Sequence, residues 1–177
     1  DADALGRLAD AEQAAADSES VITLSSGAAD IQSPLRTLRR VAAENESLNA
    51  TFAASDTDGD GVPDQNVRQL FDELFSVAPE EAAGVIYRTD DGAYRAARLV
   101  ISTSGTAASS TVTSEMSAIA ADISGGNLEA TATGQTILFD IVQNQLLDTV
   151  IERLLITLVA VCGFRMLTYR IPDGSAI

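Results

Sequence analysis

The sequence predicts an α+β domain, a split βαβ sandwich with one helical insert, closed by a long C-terminal helix. Three observations carry that prediction. Short β-rich runs sit between turn formers, and apolar residues recur at helical spacing in the stretches between them. From Thr136 to about Tyr169, only Gly163 interrupts a helical pattern.

In chain order, residues 1–20 form a lead-in whose Leu5, Leu8 and Ala11 give a helix with a thin apolar stripe. Residues 21–24 are a short strand, followed by a loop to Ser33. Ser33-Pro34 marks a helix start: a capping hydroxyl, then proline at the first helical position, where its missing N–H costs nothing. Leu35, Leu38, Val41 and Ala42 supply the buried face of this helix, which ends near Asn45. Residues 48–54 are assigned to a strand. Val67, Leu70, Phe71, Leu74 and Phe75 keep the spacing of an amphipathic helix, which Pro79 stops.

Residues 85–88 and 94–103 flank Asp91-Gly92, a hairpin signal because glycine accepts the positive φ of a tight turn. In the second of these strands Ala97, Leu99 and Ile101 share one face. Residues 112–123 form another helix, stopped by Gly125-Gly126, and residues 128–133 a small-residue strand that Gly134 breaks. Without the insert, the order from residue 21 is that of a ferredoxin-like sandwich.

Charge narrows the partners. The chain holds 26 acidic and 11 basic residues, a net charge of −15, and it has no Lys, His or Trp. Such a surface repels nucleic acid and anionic headgroups. The complete absence of Lys points beyond an ordinary acidic surface to a halophilic one, whose carboxylates stay hydrated while salt screens their repulsion. The single cysteine, Cys162, lies in an apolar run and serves as a small hydrophobe. Because Asp1 is not a natural start, the sequence predicts a segment upstream of it.

The C-terminal helix changes character along its length. Over residues 137–151 Phe139, Val142, Leu146 and Val150 share a face opposite Asp140, Asn144 and Asp148. Residues 154–167 are apolar almost all round; they span about 21 Å at about 1.5 Å per residue, short of a bilayer's roughly 30 Å core. Extended over residues 150–169 the window reaches that length, with Glu152 and Arg153 at one end and Tyr169 and Arg170 at the other. Charges there can snorkel, and Tyr suits the interface. A helix apolar on all sides must be surrounded, and little chain remains to surround it, so a membrane span is expected over a buried core helix. Arg165 and Arg170 then mark the cytoplasmic end and the acidic bulk lies outside. Two sequons, Asn45-Glu46-Ser47 and Asn49-Ala50-Thr51, agree with that side. The expected organisation is a lead-in at 1–20, an external α/β domain at 21–135, a connecting helix at 136–152, the start of a transmembrane helix at 153–170 and a cytoplasmic turn at 171–177.

Residues 56–64, DTDGDGVPD, are the most specific chemical motif. Aspartates at alternate positions before a glycine fold a tight turn whose carboxylates converge on one hard cation, as in the first half of an EF-hand loop. Asp56, Asp58 and Asp60 would offer side-chain oxygens, Val62 its carbonyl, and Asp64 a ligand directly or through water; Gly61 permits the turn. The twelfth position is Val67, where an EF-hand has a bidentate Glu. The loop therefore reads as a structural Ca²⁺ site of the kind found in extracellular modules, against the alternative of an acidic turn that caps the next helix. No enzyme is expected: the chain has no His, no Ser or Cys is visibly paired with a base, and the paired acids Asp90-Asp91 and Glu80-Glu81 point apart.

Residues 134–158, GQTILFDIVQNQLLDTVIERLLITL, preceded by Thr133, resemble the MMPL branch of RND-superfamily exporters, especially haloarchaeal members. There a strand ending in Thr-Gly leads into an amphipathic helix that continues as a transmembrane helix. Residues 169–177, YRIPDGSAI, resemble the short cytoplasmic turn before the next span. The resemblance implies a porter-like external domain of an exporter driven by an ion gradient. It also implies hydrophobic or lipid-like substrates, assembly into a homo-oligomer, and association with further transmembrane spans in the cell membrane. The acidic residues that couple transport lie in spans outside this sequence, so no transport residue is assigned. Two other readings stay open: a calcium-stabilised surface or adhesion module tethered by one helix, and a related protein-export factor.

Overall fold

The computed structural model describes residues 2–170, with the side chains of Asn144, Asp148 and residues 167–170 outside the description. The predicted cytoplasmic turn, 171–177, and the interfacial side chains assigned to Tyr169 and Arg170 therefore fall outside the described residues. The chain divides into two compact units, Asp1–Ala132 and Thr133–Ile177.

The first unit is mixed α+β, with helices dominant. Helix α1, Ala2–Ala16, buries Leu5, Leu8, Ala11 and Ala15 and packs against α6, Ser109–Ile123, and α2, Pro34–Glu44. The lead-in is thus part of the core, a role its thin apolar stripe understated. α2 begins as the sequence predicts: Ser33 Oγ accepts from Arg36 N at 3.0 Å, and Pro34 fills the first turn. Its Leu35 and Leu38 are fully buried.

Residues 48–54, expected as a strand, instead lie in α3, Glu46–Ser55. Asn45 caps this helix by accepting from Leu48 N at 3.0 Å, and Leu48 and Phe52, one turn apart, face the core. α4, Val67–Val77, buries Val67, Leu70, Phe71 and Leu74. Pro79 does more than stop it. It opens a further helix, α5, Pro79–Val85, whose first turn carries Glu80 and Glu81, well placed against the positive end of the helix dipole.

The strands are short. β1, Ile31–Gln32, pairs antiparallel with β4, Val100–Ile101; β2, Ile86–Arg88, pairs antiparallel with β3, Tyr94–Ala97, with an irregularity between Tyr87 and Arg88. Among the described residues these remain two separate two-stranded sheets, so the continuous sheet of the expected ferredoxin-like sandwich is not formed. Residues 21–24 contribute only the bridges Val21↔Thr103 and Thr23↔Ala29, and residues 128–133 only Gly125↔Leu128. Residues 128–133, rich in Ala and Thr, carry too little apolar side chain to hold a wider sheet against the helices, and residues 21–24 leave Ile22 and Leu24 exposed.

An aromatic cluster fastens the β2–β3 ribbon to α4. Tyr94 meets Phe71 edge-on at 5.3 Å between ring centroids, Arg88 lies 5.6 Å over the rings of both Phe75 and Tyr94, and Tyr94 Oη donates to Asp72 Oδ1 at 2.7 Å. Burial, together with that bond to a carboxylate, pushes the Tyr94 hydroxyl up to about 12. A raised value means that the folded state holds the proton more tightly. The contribution of Tyr94 is complete below about pH 10 and is lost as pH rises toward 12. Tyr94→Phe should therefore remove part of the alkaline fall in stability, seen as a smaller difference in denaturation midpoint between pH 9 and pH 11.

The second unit is built on α7, Gln135–Arg170, a 36-residue helix. The side chains of Leu138 to Met166 that are large and apolar are exposed, Val159 at 67% and Met166 at 76%. Phe139, Val142, Leu146 and Val150, which share one face in the sequence, are exposed too. No helix among the described residues is long and apolar enough to cross a membrane. Glu152 and Arg153 bound the apolar stretch upstream and Arg165 interrupts it. The span expected over 150–169 draws on side chains beyond Met166 that fall outside the described residues.

Candidate metal centre

The acidic loop runs from the end of α3 to the start of α4, so it is framed by helices on both sides. Its ends are held together by backbone bonds: Asp64 N donates to Ser55 O at 2.8 Å and Gln65 N to the same oxygen at 3.2 Å. Ser55 is buried, and its hydroxyl donates to Thr51 O at 2.8 Å. Pro63 is fully buried and Val62 packs on the core cluster. The loop is a built turn on a fixed base.

Within it, Asp56 accepts from Gly59 N through Oδ1 and from Gly61 N through Oδ2, both at 2.9 Å. Those bonds wrap the backbone around one carboxylate, and the wrapping needs positive φ at Gly59 (78°) and Gly61 (83°). Asp64 Oδ2 accepts from Thr57 N at 2.9 Å and from Thr57 Oγ1 at 2.7 Å. These donors, the hydroxyl first, hold the Asp64 carboxyl below its ordinary value. Any stability this contributes is present above the ordinary carboxylate range and lost as pH falls through the lowered value.

The loop brings one carboxylate oxygen from each of Asp56, Asp58 and Asp64 within 4.8 Å of one another. Oxygens bound to one Ca²⁺ at about 2.3–2.6 Å can be at most about 5 Å apart, so this spacing fits a common coordination sphere. Asp60 is not in the converging set; its Oδ1 accepts from Val62 N at 2.7 Å, and Asp58 Oδ1 accepts from Asp60 N at 3.2 Å. Val67, at the twelfth position, is buried in the core and offers no carboxylate.

Two residues of the loop's frame were not among the sequence candidates. Thr57 looks like filler between aspartates but donates twice to Asp64. Arg39 of α2 donates to Gly61 O through Nε at 3.0 Å and Nη2 at 2.8 Å, a contact no local pattern announces. Arg39 also lies 4.0 Å from the carboxylate of Glu12. A Cβ at Gly61 would sit 3.3 Å from Arg39 Nη2 on a backbone of positive φ. Gly61→Ala should cost about 1–2 kcal/mol in chemical denaturation, and the unchanged stability of Gly105→Ala, where a Cβ meets open space, is its control.

No family model, curated protein or solved structure matches the chain.

Proposed function

We propose that the chain is the external, porter-like domain of an RND/MMPL-type exporter in the cell membrane. In this reading residues 1–150 lie outside and guide hydrophobic or lipid-like substrates, and α7 delivers the chain to the bilayer and to the other transmembrane spans. The observation that carries it is the state of α7: Leu154, Leu155, Ile156, Leu158, Val159 and Val161 are all more than half exposed, around most of one helix. Water is a poor surrounding for that surface, and a hydrocarbon layer is a good one. Glu152 and Arg153 fit the outer interface, with the apolar run beyond them and Arg165 reaching toward the inner one. The net charge of −15 suits a domain held away from anionic headgroups.

Ca²⁺ has a structural part in this reading. Asp56, Asp58 and Asp64 are its first ligands, with Asp60 and the Val62 carbonyl recruited on binding, and the ion pins the acidic loop between α3 and α4. The reading gives the chain no catalytic step. In right-side-out membrane vesicles, a protease that cuts at aspartate should cleave the 56–64 loop from outside and leave α7 in the membrane pellet. Cleavage only after the vesicles are opened would contradict the orientation, and loss of α7 to the supernatant would contradict the anchorage.

A further inference from the structure

We infer that, in water, α7 pairs antiparallel with α7 of a second copy along one stripe, and that this pairing competes with the bilayer for the same surface. The pairing stands without the membrane reading; the competition rests on it, and a dimer that persists unchanged in vesicles overturns the competition alone. It starts from spacing: Asp140, Leu147, Ile151, Leu154, Leu158 and Arg165 fall at alternating intervals of three and four residues, with Asn144 and Val161 completing the series. Leu147, Ile151, Leu154, Leu158 and Val161 thus hold an apolar a/d spacing over about two heptads, a short coiled-coil seam whose register the polar residues Asp140, Asn144 and Arg165 continue at its ends. Its apolar members are open to contact: Leu147 is 51% exposed, Leu154 63% and Leu158 55%.

The ends of the stripe select the partner and its direction. In a parallel pair Asp140 meets Asp140 and Arg165 meets Arg165, two like-charge clashes. In an antiparallel pair centred between Glu152 and Arg153, Asp140 lies opposite Arg165 at each end, Leu147 opposite Leu158, and Ile151 opposite Leu154. Every a position then faces a d position, as antiparallel packing requires, and the interface is its own complement, as a two-fold dimer requires. The stripe is about 38 Å long at about 1.5 Å per residue and roughly 10 Å wide. Doubled over two partners, that footprint is about 760 Å², below that of a standard specific interface, so the dimer is weak and reversible.

The test is sedimentation of the whole chain in detergent-free buffer across a concentration series. The wild-type chain should pass from monomer to dimer. Asp140→Arg should weaken the dimer about tenfold or more, and combining it with Arg165→Asp should restore it, a rescue that a parallel pair cannot give. Leu154→Asp should leave a folded monomer, its α1–α6 core intact by circular dichroism. Cys162 should form no disulfide between copies on oxidation, because the two cysteines lie about 28 Å apart along the axis at about 1.5 Å per residue. Neutral phosphatidylcholine vesicles should dissociate the dimer. A monomer at all concentrations overturns the proposal even if that monomer binds vesicles, which would leave the membrane reading standing. Failure of the double reversal to rescue, or a ready Cys162 disulfide, overturns the antiparallel arrangement.

Discussion

Glu12→Ala is expected to lower the unfolding free energy by about 2–3 kcal/mol, among the largest effects of any single polar substitution in the domain. Glu12 lies on the apolar face of α1 and is 6% exposed. It accepts a hydrogen bond from the Ser33 hydroxyl and faces Arg36 Nε at 3.6 Å and Arg39 Nη1 at 4.0 Å. Removing it leaves the Ser33 hydroxyl without an acceptor at the start of α2 and opens space between two helices. The arginine side chains are 32% and 41% exposed and can turn to water, which keeps the cost below that of breaking a fully buried ion pair. Glu12→Gln keeps an acceptor for Ser33 and should recover about half of the loss. Because Arg39 also holds Gly61 O, Glu12→Ala should in addition loosen the acidic loop, read as faster amide exchange at Gly59 and Gly61. A denaturation curve unchanged by Glu12→Ala would show that α1 and α2 are not joined through this carboxylate.

On the proposal that the acidic loop binds Ca²⁺, the second large effect is expected when the ion is added. At about one hundred times its dissociation constant, a ligand that binds only the folded state adds about 2.7 kcal/mol, roughly 5–10 °C in melting temperature for a chain of this size. Asp56→Ala combined with Asp58→Ala should abolish that gain, because each supplies an oxygen to the converging set. In chelator the variant should melt close to the parent, since clearing two carboxylates also relieves repulsion. Equal melting of parent and variant in calcium would reduce the loop to an acidic turn. Asp60→Ala separates the roles further. If Asp60 serves chiefly to hold Val62 N, the variant should bind calcium more weakly without losing it.

What could be read in advance follows from where the determining contacts lie. α2 and α4 were legible because cap and stripe are local: Ser33 and Pro34 open one, and Val67, Leu70, Phe71 and Leu74 keep helical spacing in the other. α3 forms where the sequence predicts a strand, although Asn45, three residues before Leu48, carries the capping signal and Leu48 and Phe52 the one-turn spacing. The single sandwich sheet failed because strand pairing depends on distant partners: β4 joins β1, about seventy residues away, and not the neighbouring ribbon. In the loop, Asp56, Asp58 and Asp64 converge as their spacing suggests, while Asp60 turns to the backbone. Arg39 and Glu12 were invisible because nothing near either residue records that α1, α2 and the loop meet.

Cys162, the chain's one cysteine, reports directly on whether the apolar end of α7 rests in hydrocarbon, as proposed. A fluorophore on Cys162 should be quenched strongly by phosphatidylcholine vesicles brominated on their acyl chains. The same dye on a Thr57→Cys, Cys162→Ser variant should not respond. Equal and weak quenching at both positions would contradict the account, because it would leave residues 154–166 outside the membrane.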